Sequence, residues 1–275
     1  MRVETFQNRT FAMSIGDIGF LIDCGDSELL VELRHRYKDF PLEGVVNFQT
    51  QIKIDEEWVG SSTIDQQLVF KNGTLHIQTG KLRGSIDIEE GDGELVVANS
   101  CPVAEIEYYL RAVFSLLAFR MGGLLLHSAG IVRHKGAYLF FGHSGSGKTT
   151  IAKFSRDYLI LNDDLVLLMP REIGWTAFAT PFWNPGWSGS INTSAPVKAL
   201  LRLVQDQKVF IEDMDNSVAI AEMISNVPVV PLNHAYTDKL IERCEKIVDK
   251  LEVYRLHFSK DPSFWEVIEE NVSGI

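Results

Sequence analysis

GHSGSGKTT, residues 142–150, is the stretch that decides how the rest of this 275-residue chain is read. It carries the spacing GxxxxGK[ST] at Gly142, Gly147, Lys148 and Thr149. An apolar run, AYLFF, precedes it, and TTIAKFSRD, a helix by its pattern, follows. That context distinguishes a phosphate-binding loop from a merely flexible Gly-Ser segment. Glycines there let backbone N–H groups turn inward on an anion, and the next helix aims its positive end at the same place. Lys148 is expected to reach the β- and γ-phosphates and the Thr149 hydroxyl to ligate Mg²⁺. The phosphate-binding set is therefore Gly142, Ser144, Gly145, Ser146, Gly147, Lys148, Thr149 and Thr150, with ATP and Mg²⁺ as the expected cofactors.

Such a loop does not say what happens to the phosphate. Downstream, NDDLVLL places Asp163 and Asp164 at the start of an apolar run. Neighbouring residues on a strand face opposite sides, so only one would meet the nucleotide unless the pair sits at a turn. One carboxylate can hold Mg²⁺ through water, and the other can take a proton from an attacking hydroxyl. Upstream, LLLHSAGIV carries a lone imidazole, His127. The short turn RHKG suggests that its strand lies beside the one feeding the loop, within reach of an acidic residue whose basicity it could tune.

In this order and spacing, LLLHSAGIV, GHSGSGKTT and LILNDDLVLL resemble the core of the bacterial HPr serine kinase/phosphorylase family, related to phosphoenolpyruvate carboxykinase. The resemblance covers residues 122–170 and extends loosely through TPFW and VYRLHFSKDPSFW to HPr-kinase-like proteins outside sugar regulation, some of which accompany the biosynthesis of modified peptides. It implies an α/β fold, a phosphoenolpyruvate carboxykinase-like P-loop kinase domain. It implies Asp163 as the general base supported by His127, Lys148 on the transferred group, and Thr149 with Asp164 on the metal. Which aspartate takes which role stays open. Thr150 stands where that family carries an acidic residue, and its Pro- and Arg-bearing C-terminal signature is missing. Both departures point away from HPr as acceptor and from phosphorylase activity.

Working outward, the first hundred residues read as a small β-rich N-terminal module, 1–100, joined to a nucleotide-binding domain, 101–275. FAMSIGDIGFLID, VFKNGTLHI and SIDIEEGDGELVV are hairpin patterns with Gly-Asp, Asn-Gly and Gly-Asp-Gly turns. DSELLVELRHRYKDF and PVAEIEYYLRAVFSLLAFRMG have helical spacing. After residue 103 strands and helices alternate, with APVKALLRLVQD read as a helix that carries Lys198 and Arg202 on one face. This alternation predicts a layered α/β domain. TPFWNPGWSGSIN, 180–192, is a long loop whose Trp183 and Trp187 either contact a ligand or cap the core.

The net charge of −11 repels a phosphate backbone and excludes nucleic acid as an expected partner. Cys24, Cys101 and Cys244 lie far apart, which fits a reducing compartment. The start lacks an apolar h-region, and the greasiest stretch is interrupted by Arg120 and two glycines. A cytoplasmic protein without signal peptide or membrane span is expected. The sequence points to an ATP- and Mg²⁺-dependent kinase acting on a hydroxyl of a small protein or peptide. A nucleotide-binding scaffold with little turnover, a kinase of a small-molecule alcohol, and a homo-oligomer all remain open.

Overall fold

The computed structural model describes residues 9–61, 66–100, 103–184 and 191–272, the side chain of Ala104 excepted. The chain divides into two compact units, one up to Arg120 and one from Met121 onward.

The first unit is a single seven-stranded sheet. Its strands are β1 (Thr10–Ile15), β2 (Ile18–Cys24), β3 (Val46–Asp55), β4 (Gln67–Lys71), β5 (Thr74–Gln78), β6 (Leu82–Asp87) and β7 (Asp92–Ala98), in the order β1-β2-β3-β7-β6-β5-β4. β2 runs parallel to β3 and β3 parallel to β7; the other pairs are antiparallel. Helix α1 (Ser27–Arg36) makes the β2–β3 crossover and begins at Asp26, whose carboxylate accepts from Leu29 N at 2.7 Å. At the β4–β5 turn, Asn72 and Gly73 have φ of 52° and 86°, the left-handed pair that a tight two-residue hairpin demands.

Alternation along β3 buries Phe48, Thr50 and Ile52 and turns Gln49, Gln51 and Lys53 outward. Helix α2 (Val103–Arg120) covers the buried face. Its Tyr109 hydroxyl lies 2.8 Å from Thr50 Oγ1 and donates to Ser85 O at 3.1 Å. A Cβ at Gly93 would stand 2.2 Å from that hydroxyl, so only glycine lets the tyrosine in. Glu107 of α2 is buried and held by Arg36 at 2.7 Å and Arg111 at 2.9 Å, two charge-assisted contacts that compensate its desolvation.

The second unit is where the structure departs from the expected class. Its strands are β8 (Leu124–Arg133), β9 (Gly136–Phe141), β10 (Leu159–Asn162), β11 (Leu165–Pro170), β12 (Trp175–Phe178), β13 (Ser194–Gln205), β14 (Phe210–Asp213) and β15 (Glu252–Phe258). β8 pairs with β11, β11 with β12, β12 with β13, β13 with β9, and β9 with β8, closing a ring of five strands. β10, β15 and β14 extend from it. Helices α3 (Lys148–Phe154), α4 (Asn216–Ile224), α5 (Thr237–Val248) and α6 (Phe264–Asn271) are short. Only 27% of the described structure is helical. It is a mostly β protein with a five-strand barrel, and the predicted α/β phosphoenolpyruvate carboxykinase-like P-loop kinase domain is overturned.

The physical reason lies in the pairings. A layered α/β domain needs helical crossovers between parallel strands. Here β8–β9 and β11–β12 are joined by tight turns and run antiparallel, and only β13 with β9 and β13 with β15 are parallel. The RHKG turn is such a hairpin, with His134 and Lys135 at φ of 49° and 64°. The predicted helix APVKALLRLVQD is most of strand β13. Leu200 and Leu201 are both fully buried there, which a strand covered on both faces requires and a one-sided helix does not. Lys198 and Arg202 accordingly sit on a strand, Lys198 lying over Gly136 and Arg202 3.2 Å from Glu222.

A cluster of Tyr138, Phe140, Phe264 and Trp265 packs beneath this sheet with ring centres 5.4 to 6.1 Å apart, edge to face except for the tilted Phe264–Trp265 pair. The Trp265 indole N–H donates to Ser155 Oγ at 3.0 Å, so the polar edge of the largest ring in the cluster is satisfied. Phe258, in the same core, touches the phosphate-type loop. This packing fixes β9 and α3, the two elements that carry the loop between them.

Candidate functional site

Strand β9 delivers the chain to Gly142 and helix α3 takes it away at Lys148. Between them Gly142, Gly145 and Gly147 have φ of 147°, 79° and 111°, conformations that only glycine adopts without strain. Gly147 is constrained twice, since a Cβ would stand 2.4 Å from the Phe258 ring. Lys148 folds back over the loop and donates to Gly142 O at 2.7 Å and His143 O at 3.2 Å. Burial pulls its ammonium below the ordinary lysine value, and the Asp164 carboxylate pulls it back up. The Ser146 hydroxyl oxygen is buried without a hydrogen-bond partner among the described residues. An orphaned hydroxyl inside a glycine-built concavity fits an anion that would accept from it.

The two aspartates differ sharply. The chain turns between β10 and β11, so the pair sits on a bend and not within a straight strand. Asn162, fully buried, holds that bend: its Oδ1 accepts from Asp164 N at 2.7 Å and Leu165 N at 2.8 Å, and its Nδ2 donates to Thr180 O at 2.9 Å. Asp163 is fully buried. Its carboxylate accepts from Thr149 Oγ1 at 3.3 Å, Asn184 N at 3.2 Å and Asn184 Nδ2 at 3.1 Å. Asp164 instead reaches the cleft, facing Lys148, and its Oδ1 lies 3.7 Å from His127 Nδ1. His127 is half-exposed on β8 and pairs in register with Leu165 on β11, which brings the imidazole beside the aspartates.

A cleft of about 410 Å³ joins these groups, lined by Ser144, Gly145, Gly147, Lys148, Thr149, Thr150 and Asp164. Asn184, Gln205 and Lys260 complete it. Gln205, at the end of β13, donates to Gly145 O at 2.7 Å and pins the tip of the loop. None of these three was singled out from the sequence. The Asn before the aspartate pair had a readable signal, because Asn favours side-chain-capped turns. Gln205 and Lys260 had none, coming from strands and turns distant in the chain. Trp183 is half-buried next to Asn184, while Trp187 and the rest of 185–190 lie outside the described residues. Thr149 and Asp163 offer hard oxygen donors of the kind Mg²⁺ takes. Among the described residues no group of three or more His, Cys, Asp or Glu gathers to hold a metal by itself, so any Mg²⁺ here would draw further ligands from phosphate and water.

Comparison with known families adds one match, over residues 97–273, to the family described as SynChlorMet cassette protein ScmC. The chain belongs to the ScmC family. No curated protein matches it. The match overturns the resemblance to the HPr serine kinase/phosphorylase family. That resemblance rested on about fifty residues, and most of its shared letters are the glycines, lysine and threonine that any phosphate-cradling loop requires. Such letters report a local task and do not single out a lineage. The ScmC match spans the whole second unit short of its last two residues. Among the described residues no helix is long and apolar enough to cross a membrane, which says nothing of strands.

Proposed function

We propose that this protein binds ATP with Mg²⁺ at the 142–150 loop and transfers the γ-phosphoryl group to a hydroxyl, that of a serine in a small protein or peptide. The observation that carries the reading is the unequal environment of the two aspartates beside Lys148. A protein that only holds a nucleotide needs the loop and the Thr149–Asp163 contact. It has no use for a second carboxylate, reachable from the cleft, with an imidazole behind it.

In this reading the two aspartates exchange the roles that the resemblance implied, and Asp163 stays put. It orients the Thr149 hydroxyl, and with that hydroxyl it would hold Mg²⁺, whose charge would offset the negative charge of the phosphates. Lys148 exchanges its contacts with Gly142 O and His143 O for phosphate oxygens. Asp164 receives the proton of the acceptor hydroxyl, and His127 on its far side holds the carboxylate in place and stabilises its charge. Phosphoryl transfer asks for little beyond such positioning and charge compensation.

The test is to incubate the purified protein with γ-labelled ATP, Mg²⁺ and an extract of its own organism, beside Lys148→Ala. A labelled band that appears with the wild-type protein alone supports the proposal and identifies the acceptor. Tight ATP binding without label on any protein, peptide or metabolite contradicts it.

A further inference from the structure

A concavity of about 520 Å³, larger than the cleft at the loop, lies elsewhere among the described residues. It lies on the outward face of the seven-stranded sheet in the first unit. Register places two rows of side chains across that face. One runs Leu21, Gln49, Asp92, Asp87 over β2, β3, β7 and β6; the other runs Asp23, Gln51, Glu94, Ser85, His76 and reaches β5. At the spacing of neighbouring strands these rows extend ~15–19 Å.

A solvated sheet face ordinarily mixes both signs of charge. This concavity is lined by Asp23, Asp87, Asp92 and Glu94 with no cation among its lining residues. Asp87 and Asp92 stand directly opposite each other on adjacent strands, like charges that repel. Asp87 is held in place by Glu89 N, Glu90 N and the Thr74 hydroxyl, which orient its carboxylate without neutralising it. The cations at its margins are engaged: Arg9 is 3.8 Å from Asp23, Lys53 is 3.9 Å from Glu94, and Arg83 is 3.2 Å from Asp55 and stacked over Trp58. Asp23 and Glu94 thus have exposed, weakly held partners that a bound peptide would displace. Residues 1–120 hold 19 Asp and Glu against 11 Lys and Arg, a net of −8 out of the chain's −11. The acidity is concentrated in the unit that presents this open face.

We infer that the outward face of the seven-stranded sheet is a docking surface for an extended, basic peptide segment. Lys or Arg at alternate positions of such a segment would lie over the two rows, between Asp87 and Asp92 and against Asp23 and Glu94. The Gln49 and Gln51 amides would meet its backbone. This inference does not depend on the chemistry proposed at the loop.

A fluorescein-labelled ten-residue peptide of alternating Lys and Thr, titrated with the intact protein at low salt, tests it by anisotropy. The triple variant Asp23→Asn, Asp92→Asn, Glu94→Gln removes charge from the face at positions with no buried contact. The control Glu28→Gln, Glu32→Gln, Asp39→Asn removes the same charge from α1 and the turn after it. The inference predicts saturable binding by wild type and by the control, and at least a tenfold loss in the face variant. No binding by wild type overturns it, and so does equal weakening in both variants, which would be bulk electrostatics. Sedimentation that shows a wild-type dimer lost in the face variant would assign the surface to a second copy of the chain and also overturn it.

Discussion

Thr149 donates to Asp163 across 3.3 Å, joining the first turn of helix α3 to the bend between β10 and β11. The threonine is set by the loop and the aspartate by the strands, so the contact ties the phosphate-binding backbone to the acidic pair. Asp163→Asn keeps the shape of the side chain and removes its charge. It should cut the Mg²⁺ dependence of ATP affinity, with roughly tenfold weaker binding in Mg²⁺ and little change in EDTA. Calorimetric titration in both conditions reads this directly.

Lys148 is the cation that burial in the loop leaves partly desolvated. Lys148→Ala should weaken ATP binding by on the order of 100-fold, the loss expected when a charge-assisted contact to phosphate is removed. Thermal stability should hold, since the lysine bonds only to loop carbonyls. A fluorescent ATP analogue and a melting curve on one preparation separate the two effects.

Gly147 has φ of 111° and Phe258 against its face. Gly147→Ala should displace either the ring or the loop and abolish nucleotide binding. The double variant Gly147→Ala, Phe258→Ala should recover stability by relieving the clash, yet not binding, because the left-handed backbone still disfavours a Cβ. Stability by melting and affinity by titration should therefore part company.

Asn162 is buried and makes three hydrogen bonds that hold the aspartate bend. Asn162→Ala leaves two N–H groups and a carbonyl without that partner, a cost of roughly 3 kcal/mol. The second unit should melt on the order of 10 °C lower, given the usual scaling for a unit of this size.

Cys244 is buried in α5, and burial pushes its thiol up to about 12 from an ordinary 9. A raised native value means the folded state holds its proton where the unfolded chain has released it. That stability is fully present below pH 9 and is lost as pH climbs from 9 towards 12. Cys244→Ala should flatten the decline of urea midpoint over pH 9–11, though it lowers the midpoint at pH 7.

How much of this was legible in the sequence varies element by element. The hairpin turns at Gly16-Asp17 and Asn72-Gly73 and the phosphate-type loop are short-range features, in which residue identity fixes the local backbone. The loop's neighbours were also within reach, because the RHKG turn forces β8 beside β9 and so carries His127 toward the centre. The barrel was not. Its closure depends on β13 pairing with β9 and β12, contacts between residues 16 to 61 positions apart, and APVKALLRLVQD has apolar residues at spacings that suit a helix as well as a doubly covered strand. The division between Asp163 and Asp164 was hidden for a related reason. Two adjacent letters look alike until Asn162 bends the chain and Asn184, from the loop that follows β12, closes over one of them.

The measurement that tests the account most directly is phosphoryl transfer by Asp164→Asn at saturating ATP and Mg²⁺, with nucleotide occupancy recorded on the same sample. The account predicts occupancy within about threefold of wild type and transfer reduced by at least 100-fold, because the variant keeps the loop and loses the proton acceptor. Transfer equal to wild type at equal occupancy would contradict it and leave Asp164 a bystander at the edge of the cleft.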